Sequence, residues 1–425
     1  MDNLTKAETI LFQACDMACK MGSQNKSIVD FRKHLLCNLR DHGFLPTRKI
    51  ENWHYTDLKK LLKIFPTDED KSQSLDEEFE CLVAESIKMV LDKQVPCFAK
   101  EKEIQLLPFS NIIGTDEEKS LLLEPLDEHD AIGHINAILA QDGCKVLIPD
   151  GCHLNVPLEL QSVQCGGQKH LRYSVMCGVE SEATIVERYI APTDSSSLVS
   201  SVTDIRVCSG AKIVWIIVQD QRMSDTYLGQ MRVVLEQNSS LKIFVLNVGE
   251  GLVRRELSVE VEGEGSDFML RGISLLKGST HNDLSMFLRH KVPGTSSTSI
   301  VRNVVLDNAT GVFQGIVRVS PEAQGSDARM SSNTLLLSDK GSFFVKPELE
   351  IFADDVQCGH GATISDVNHD HLYYLMARGI PSSKAYIMLF HAFVSEIIKD
   401  LDDELLQKSL ERYISIWMQS NFINS

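Results

Sequence analysis

A chain of 425 residues with 43% hydrophobic and 24% charged side chains has a globular composition and is long enough for a large core and more than one domain. Its 59 acidic against 42 basic residues, net −17, repel phosphate backbones and anionic lipid, and no basic patch offsets them; this excludes nucleic-acid and membrane roles. Apolar runs such as 213–218 and 242–248 are strand-sized and too short for a bilayer, and residues 1–26 lack the apolar centre of a signal peptide. Eleven cysteines, an odd number without a Cys-x-x-Cys pair, predict reduced thiols rather than a disulfide framework or a self-contained zinc ribbon.

Taken in chain order, the pattern from Thr5 to Arg40 predicts two short helices. One stripe runs through Ile10, Leu11, Ala14, Met17 and Ala18, the next through Ile28, Phe31, Leu35 and Leu39. Cys15 and Cys19, four apart among apolar positions, read as core packing. His42-Gly43-Phe44-Leu45-Pro46 is a stop, with Gly closing the helix and Pro restricting Leu45. Trp53 and Tyr55 then predict an anchor on a core surface, and the acidic stretch from Asp68 to Glu78 reads as a solvated linker.

From about Lys145 to Phe352 β-branched runs such as Thr184-Ile185-Val186, 231–235 and 301–306 predict strands. Turn formers at Gly210, Ser239, Gly265 and Gly294 recur after 29, 26 and 29 residues with no helix between them. Such a period predicts a β-solenoid, with a sandwich as the plainer alternative. Cys152, Cys165, Cys177 and Cys208 fall in these strands and read as packing. Beyond Asp366 helical spacing returns through Leu372, Leu375 and Met376, then Ile387, Phe390, Val394 and Ile397. Arg378-Gly379-Ile380-Pro381 separates two helices, and a last helix from Asp402 carries Leu405, Leu406, Leu410, Tyr413, Ile414 and Trp417. Three helices bury little alone, so this tail either docks on the β body or offers a groove to another protein. The division expected is a helical domain and linker over 1–144, a β core over 145–365 and a helical domain over 366–425.

Between the β section and the tail lies Asp354-Asp355-Val356-Gln357-Cys358-Gly359-His360-Gly361-Ala362-Thr363. If extended, it sends Cys358 and His360 to one face, and thiolate with imidazole suits iron-sulfur clusters, zinc and copper. Two ligands are half a tetrahedral set, so the rest must come from elsewhere in the chain or from a partner. The plainer reading is a small buried thiol and a hydrogen-bonded turn histidine. Asn368-His369-Asp370-His371 reads as a helix cap before a metal site. Gly249-Glu250-Gly251 starts like a phosphate loop but runs on into Arg254-Arg255-Glu256 in a β context. Walker, dinucleotide, His-Glu-x-x-His and Gly-x-Ser-x-Gly motifs are absent, which counts against a self-sufficient enzyme.

Three blocks carry a resemblance. Leu45-Pro46-Thr47-Arg48-Lys49 with Glu51-Asn52-Trp53-His54-Tyr55-Thr56 is the first, with His54 in place of a usual Lys. Phe313-Gln314-Gly315, Asn333-Thr334-Leu335-Leu336-Leu337 and Lys346-Pro347-Glu348-Leu349-Glu350-Ile351 form the second. The third runs from Ala353-Asp354-Asp355-Val356 through Cys358-x-His360-Gly361-Ala362-Thr363 to Tyr374-Leu375-x-x-Arg378-Gly379-Ile380, with Gly359 where relatives often have Ser. In these blocks the chain resembles the SufB/SufD family of Suf iron-sulfur cluster assembly subunits, and its D-type (SufD) branch, since B-type subunits lack the Cys-x-His pair.

The resemblance implies a mainly β fold, a right-handed parallel β-helix flanked by N- and C-terminal helical domains. It also implies a non-enzymatic scaffold that pairs with a SufB-like subunit through the β-helix end, or with itself in isolation, and binds a SufC-like ATPase through its C-terminal helices. On that basis His360 and Cys358 are candidate cluster ligands, and Tyr374, Arg378, Gly379 and Phe393 are candidates for the ATPase surface. A transient iron-sulfur cluster would form at the shared interface and a reduced flavin would act at the level of the complex, neither held tightly by this chain alone. Acids at Asp2 and Glu8 are unlike a transit peptide and favour the cytosol, with a plastid as the alternative if such a peptide has been removed. The competing functions are a β-solenoid carbohydrate-active enzyme or acyltransferase, with Asp204 and Glu187 as its carboxylates, and a purely structural interaction protein.

Overall fold

A computed structural model describes residues 4–21, 25–63, 65–67, 79–91, 104–112 and 125–422. The acidic stretch read as a linker, 68–78, lies outside them. From Asp142 the chain winds as a β-solenoid of about eight turns. Each turn contributes a strand to each of two nine-stranded sheets. Sheet I runs from Ile87–Leu91 through Leu158–Val163 to Gln357–Ser365, and sheet II from Gln105–Pro108 through Asp142–Ile148 to Ser342–Ile351. Every pairing is parallel except that of Gln105–Pro108 on Asp142–Ile148. The sequence pattern anticipates no strand before Lys145; Ile87–Leu91 and Gln105–Pro108 are short and carry Lys88 and Pro108, so they lack an apolar signature.

The turn period is visible in the backbone. Positive φ recurs at Gly210, Asn238, Gly265, Gly294 and Gly325, where each coil bends. The second bend falls on Asn238 rather than on its neighbour Ser239, because a short amide side chain tolerates the left-handed region that serine disfavours. The run 213–218 is apolar throughout because both of its faces are covered. Ile213, Trp215 and Ile217 fill the lumen, while Ile216 and Val218 lie under the C-terminal helices.

The lumen also encloses a polar bar. Glu187 accepts hydrogen bonds from the Tyr189 hydroxyl and, at 3.1 Å, from Trp215 Nε1. The Tyr227 hydroxyl donates to Tyr189 at 3.1 Å and accepts from Arg255 at 2.9 Å. Carboxylate and guanidinium are thus joined through two phenols that span from one sheet to the other, the compensation a buried charge requires.

Helices cover the outer faces. On sheet II, Ala131–Leu139 presses Ile132 and Ile135 against Leu198, Val202 and Leu228, with Lys6–Met21 and Lys26–Asp41 packed beyond. The buried line of the first helix is Ala7, Leu11, Cys15 and Cys19, and Met17 is exposed, so its stripe is rotated from the one expected. The two cysteines are core, as their spacing suggested. Trp53 is buried beneath the Arg254 guanidinium, 3.8 Å from its ring centroid, and Tyr55 stacks on Phe344. Arg254 also pairs with Asp283 and with Glu256 at 2.7 Å. On sheet I, Ser382–Ile398 and Glu404–Phe422 bury Phe390, Val394, Ile397, Leu410 and Ile414 against Val186, Phe244, Leu246 and Ile273. Ion pairs Arg271–Asp400 (2.5 Å), Lys242–Asp402 (2.7 Å) and Arg302–Glu396 (3.0 Å) ring that contact. The tail therefore docks on the β body. Among the described residues every cysteine is a free thiol, and no helix is long and apolar enough to cross a membrane.

Candidate functional site

The strand Gln357–Ser365 is extended, as two-residue ligand spacing requires, and it is the last of sheet I. It pairs with Asp327–Leu336 on one side only. Ser342–Ile351 ends sheet II in the same way, so two edge strands finish the solenoid with no further coil among the described residues. Side chains alternate faces, so the site follows from register. Ala328 and Met330 of the preceding coil belong to the lumen core; Cys358 lies across from Ala328 and His360 across from Met330. Both candidates occupy positions that in any earlier coil would be core.

For want of another coil they form the rim. Cys358 is half-buried against the core, whereas His360 is exposed, and among the described residues nothing hydrogen-bonds its ring. Burial pushes the Cys358 thiol above its ordinary range; the Ala328 backbone opposes the shift by favouring thiolate, and Asp327 adds to it. Between and beyond the two, Gly359 and Gly361 face outward with nothing within 4 Å of where a Cβ would stand. The bare backbone at Gly359 floors a cleft of about 600 Å³ on the outer face of sheet I, walled by Arg271, Thr298, Ser331 and Arg329. Arg329 pairs with Asp327 at 2.9 Å at the mouth, and Arg271 is held from behind by Asp400 and by Thr298 Oγ1 at 3.2 Å.

Among the described residues no group of three or more His, Cys, Asp or Glu side chains is placed to hold a metal. The pair therefore offers two donors, a sulfur and a nitrogen, at an edge where another molecule can approach. Asn368 Oδ1 accepts from the Asp370 and His371 amides at 2.9 and 3.1 Å, the helix cap read from the sequence.

Tyr374, Arg378 and Gly379 come together at the exposed end of His369–Ala377, with the Arg378 guanidinium 5.0 Å from the Tyr374 ring centroid and Gly379 in the left-handed region. Tyr373 and Met376 widen this exposed patch; the sequence reading missed Tyr373 and placed Met376 on the packed stripe. Phe393 does not join them: it is half-buried against sheet I, with Arg302 5.2 Å from its ring. Helical spacing puts Phe393 three residues after Phe390 and one before Val394, so it shares the packed side. Asp204 and Glu187 do not meet. Glu187 points into the lumen, whereas Asp204 lies on the outer face of sheet II, where burial raises its carboxyl against the pull of Arg172 and Arg232. The two carboxyls lie on opposite faces of the solenoid wall, so they cannot serve as the paired carboxylates of a common groove.

The fold and the site define a parallel β-solenoid with helices docked on its sides and one end left unfinished at a thiol and an imidazole. The family model described as SUF system FeS cluster assembly, SufBD core domain, matches residues 161–393, more than half of the chain. The chain belongs to this SufB/SufD family. It is 26% identical to the iron-sulfur cluster assembly protein SufD of Escherichia coli (strain K12), over 86% of this chain and 88% of that one. It is 23% identical to the SufD of Bacillus subtilis (strain 168), over 85% and 87%. It is also 26% identical to the chloroplastic protein ABCI7 of Arabidopsis thaliana, over 68% and 63%.

Proposed function

We propose that this chain is a non-catalytic scaffold subunit of iron-sulfur cluster assembly, working in the cytosol. It pairs through the open solenoid end with a SufB-like subunit, binds a SufC-like ATPase through the Tyr374–Arg378–Gly379 surface, and lends His360, with Cys358 beside it, to a nascent cluster closed by the partner. One observation carries the reading: the exposed imidazole stands at a core-facing register position on an edge strand, where a second polypeptide can complete both the sheet and the ligand set. An incomplete donor set also suits a product that must leave, whereas a four-cysteine cage would retain it.

The test is anaerobic co-expression with SufB-like and SufC-like proteins, followed by the absorption spectrum of the purified complex. His360→Ala should lower cluster yield while the complex stays intact. Arg378→Glu, at an exposed position outside the packed tail core, should weaken ATPase binding while the chain stays folded. A complex that assembles clusters at the wild-type level with both His360→Ala and Cys358→Ala refutes the reading.

A further inference from the structure

The rim carries a third soft donor. Met330 lies directly across from His360 in the ladder, and Cys358, two residues before His360, shares their lumen-facing side. Neighbouring strands stand about 4.8 Å apart and residues two apart on a strand about 6.6 Å, so the three side chains leave the backbone from corners of one small triangle on the lumen face. The Met330 thioether rests where Gly315 has no side chain; a Cβ there would run into its sulfur. An unbranched side chain with three rotatable bonds can turn from that niche toward the rim.

We propose that Cys358, His360 and Met330 form a Cu(I) site within this chain alone. Thiolate and thioether select Cu(I) over harder ions, and imidazole suits copper. Charge points the same way. One thiolate neutralises one monovalent ion, so the complex is neutral in a half-buried site. A divalent ion would leave a net positive charge against the apolar lumen core that the three side chains border. Binding converts the Cys358 S–H into a Cu–S bond and releases its proton to solvent; copper stays Cu(I) throughout. The site needs no partner. Its consequence does rest on the scaffold reading: copper would occupy the two side chains assigned to the nascent cluster and so block assembly.

The experiment titrates the reduced, full-length chain with Cu(I) under anaerobic conditions against bathocuproine disulfonate, alongside Cys358→Ser, His360→Ala and Met330→Leu. X-ray absorption at the copper edge is read on the first equivalent bound. The wild type should hold one Cu(I) with two sulfurs and one nitrogen. Met330→Leu, which conserves volume, should hold it roughly tenfold more weakly with one sulfur fewer. Cys358→Ser should lose that equivalent while the chain's other thiols keep theirs. An unchanged first equivalent in Cys358→Ser, or an unchanged sulfur count in Met330→Leu, overturns the proposal. Absent copper binding with a His360-dependent cluster yield sinks only this site, and the opposite pair of results sinks only the scaffold reading.

Discussion

His290 ends the strand His281–His290 inside the solenoid and is fully buried. Its Nδ1 meets Thr295 Oγ1 at 2.7 Å and its Nε2 meets Ser297 Oγ at 2.9 Å. Hydroxyls satisfy a neutral imidazole in either tautomer but give no charge to balance imidazolium, and burial pushes the ring's pKa down from 6.5 to about 4. The folded state therefore binds this proton less readily than the unfolded chain. The resulting stability is complete above about pH 6.5, shrinks as the unfolded chain takes up its proton, and is gone near pH 4. A gap of about 2.5 units at 1.36 kcal/mol each makes the loss about 3.4 kcal/mol, a large share of a typical 5–15 kcal/mol stability. The assay is urea unfolding followed by far-UV circular dichroism at about pH 7.5 and about pH 5, comparing wild type with His290→Gln. Carboxylates titrate alike in both proteins, so the difference isolates the ring. Wild type should lose about 2 kcal/mol more than the variant between those two points. Stability curves that run parallel within about 0.5 kcal/mol would refute a neutral buried imidazole.

Three more outcomes are expected. Arg254→Met strands Asp283 without its cation and uncovers Trp53, so urea unfolding should show a loss of about 3–5 kcal/mol and limited proteolysis should release the segment around Trp53; a loss below about 1 kcal/mol would count against a buried clamp. Gly359→Val and Gly361→Val meet open space at ordinary backbone angles, so the isolated chain should keep its melting temperature or gain slightly, while co-purification with a SufB-like subunit falls; a drop in melting temperature would show that the glycines serve the fold itself. The raised Cys358 thiol should alkylate more slowly than an unhindered cysteine near pH 7 and accelerate about tenfold per pH unit beyond about pH 8.5, read by peptide mass spectrometry; a rate already at its plateau near pH 8 contradicts the burial.

Much of the solenoid was legible because its bends need backbone conformations that few residues tolerate: Gly210, Gly265 and Gly294 mark the coil length before any strand is drawn. The cap at Asn368 followed from local chemistry in the same way, whereas extension of the Cys-x-His segment was only a condition there, one that the strand Gln357–Ser365 meets. Other features depend on partners distant in sequence. The spacing of Cys15 and Cys19 marked them as core, but nothing near Met17 says that it turns outward; that is set by the Lys26–Asp41 and Ala131–Leu139 helices against which the first one lies. The bar from Glu187 to Arg255 joins strands of different coils and sheets, so no window of sequence contains it. Met330 was within reach. Thirty residues separate it from His360, close to the period of the turns, and counting one coil back from the imidazole would have found it.

The two ends of the rod are not alike. At the start of sheet II, Gln105–Pro108 runs against the grain and closes with a proline, while at the finish two parallel strands have no further partner strand among the described residues. Fibres grow when each unit carries both a plug and a matching socket. Sheet II has an open edge at one terminus and a reversed, proline-blunted strand at the other, so a partner added at the open edge would end the array as a pair instead of propagating it.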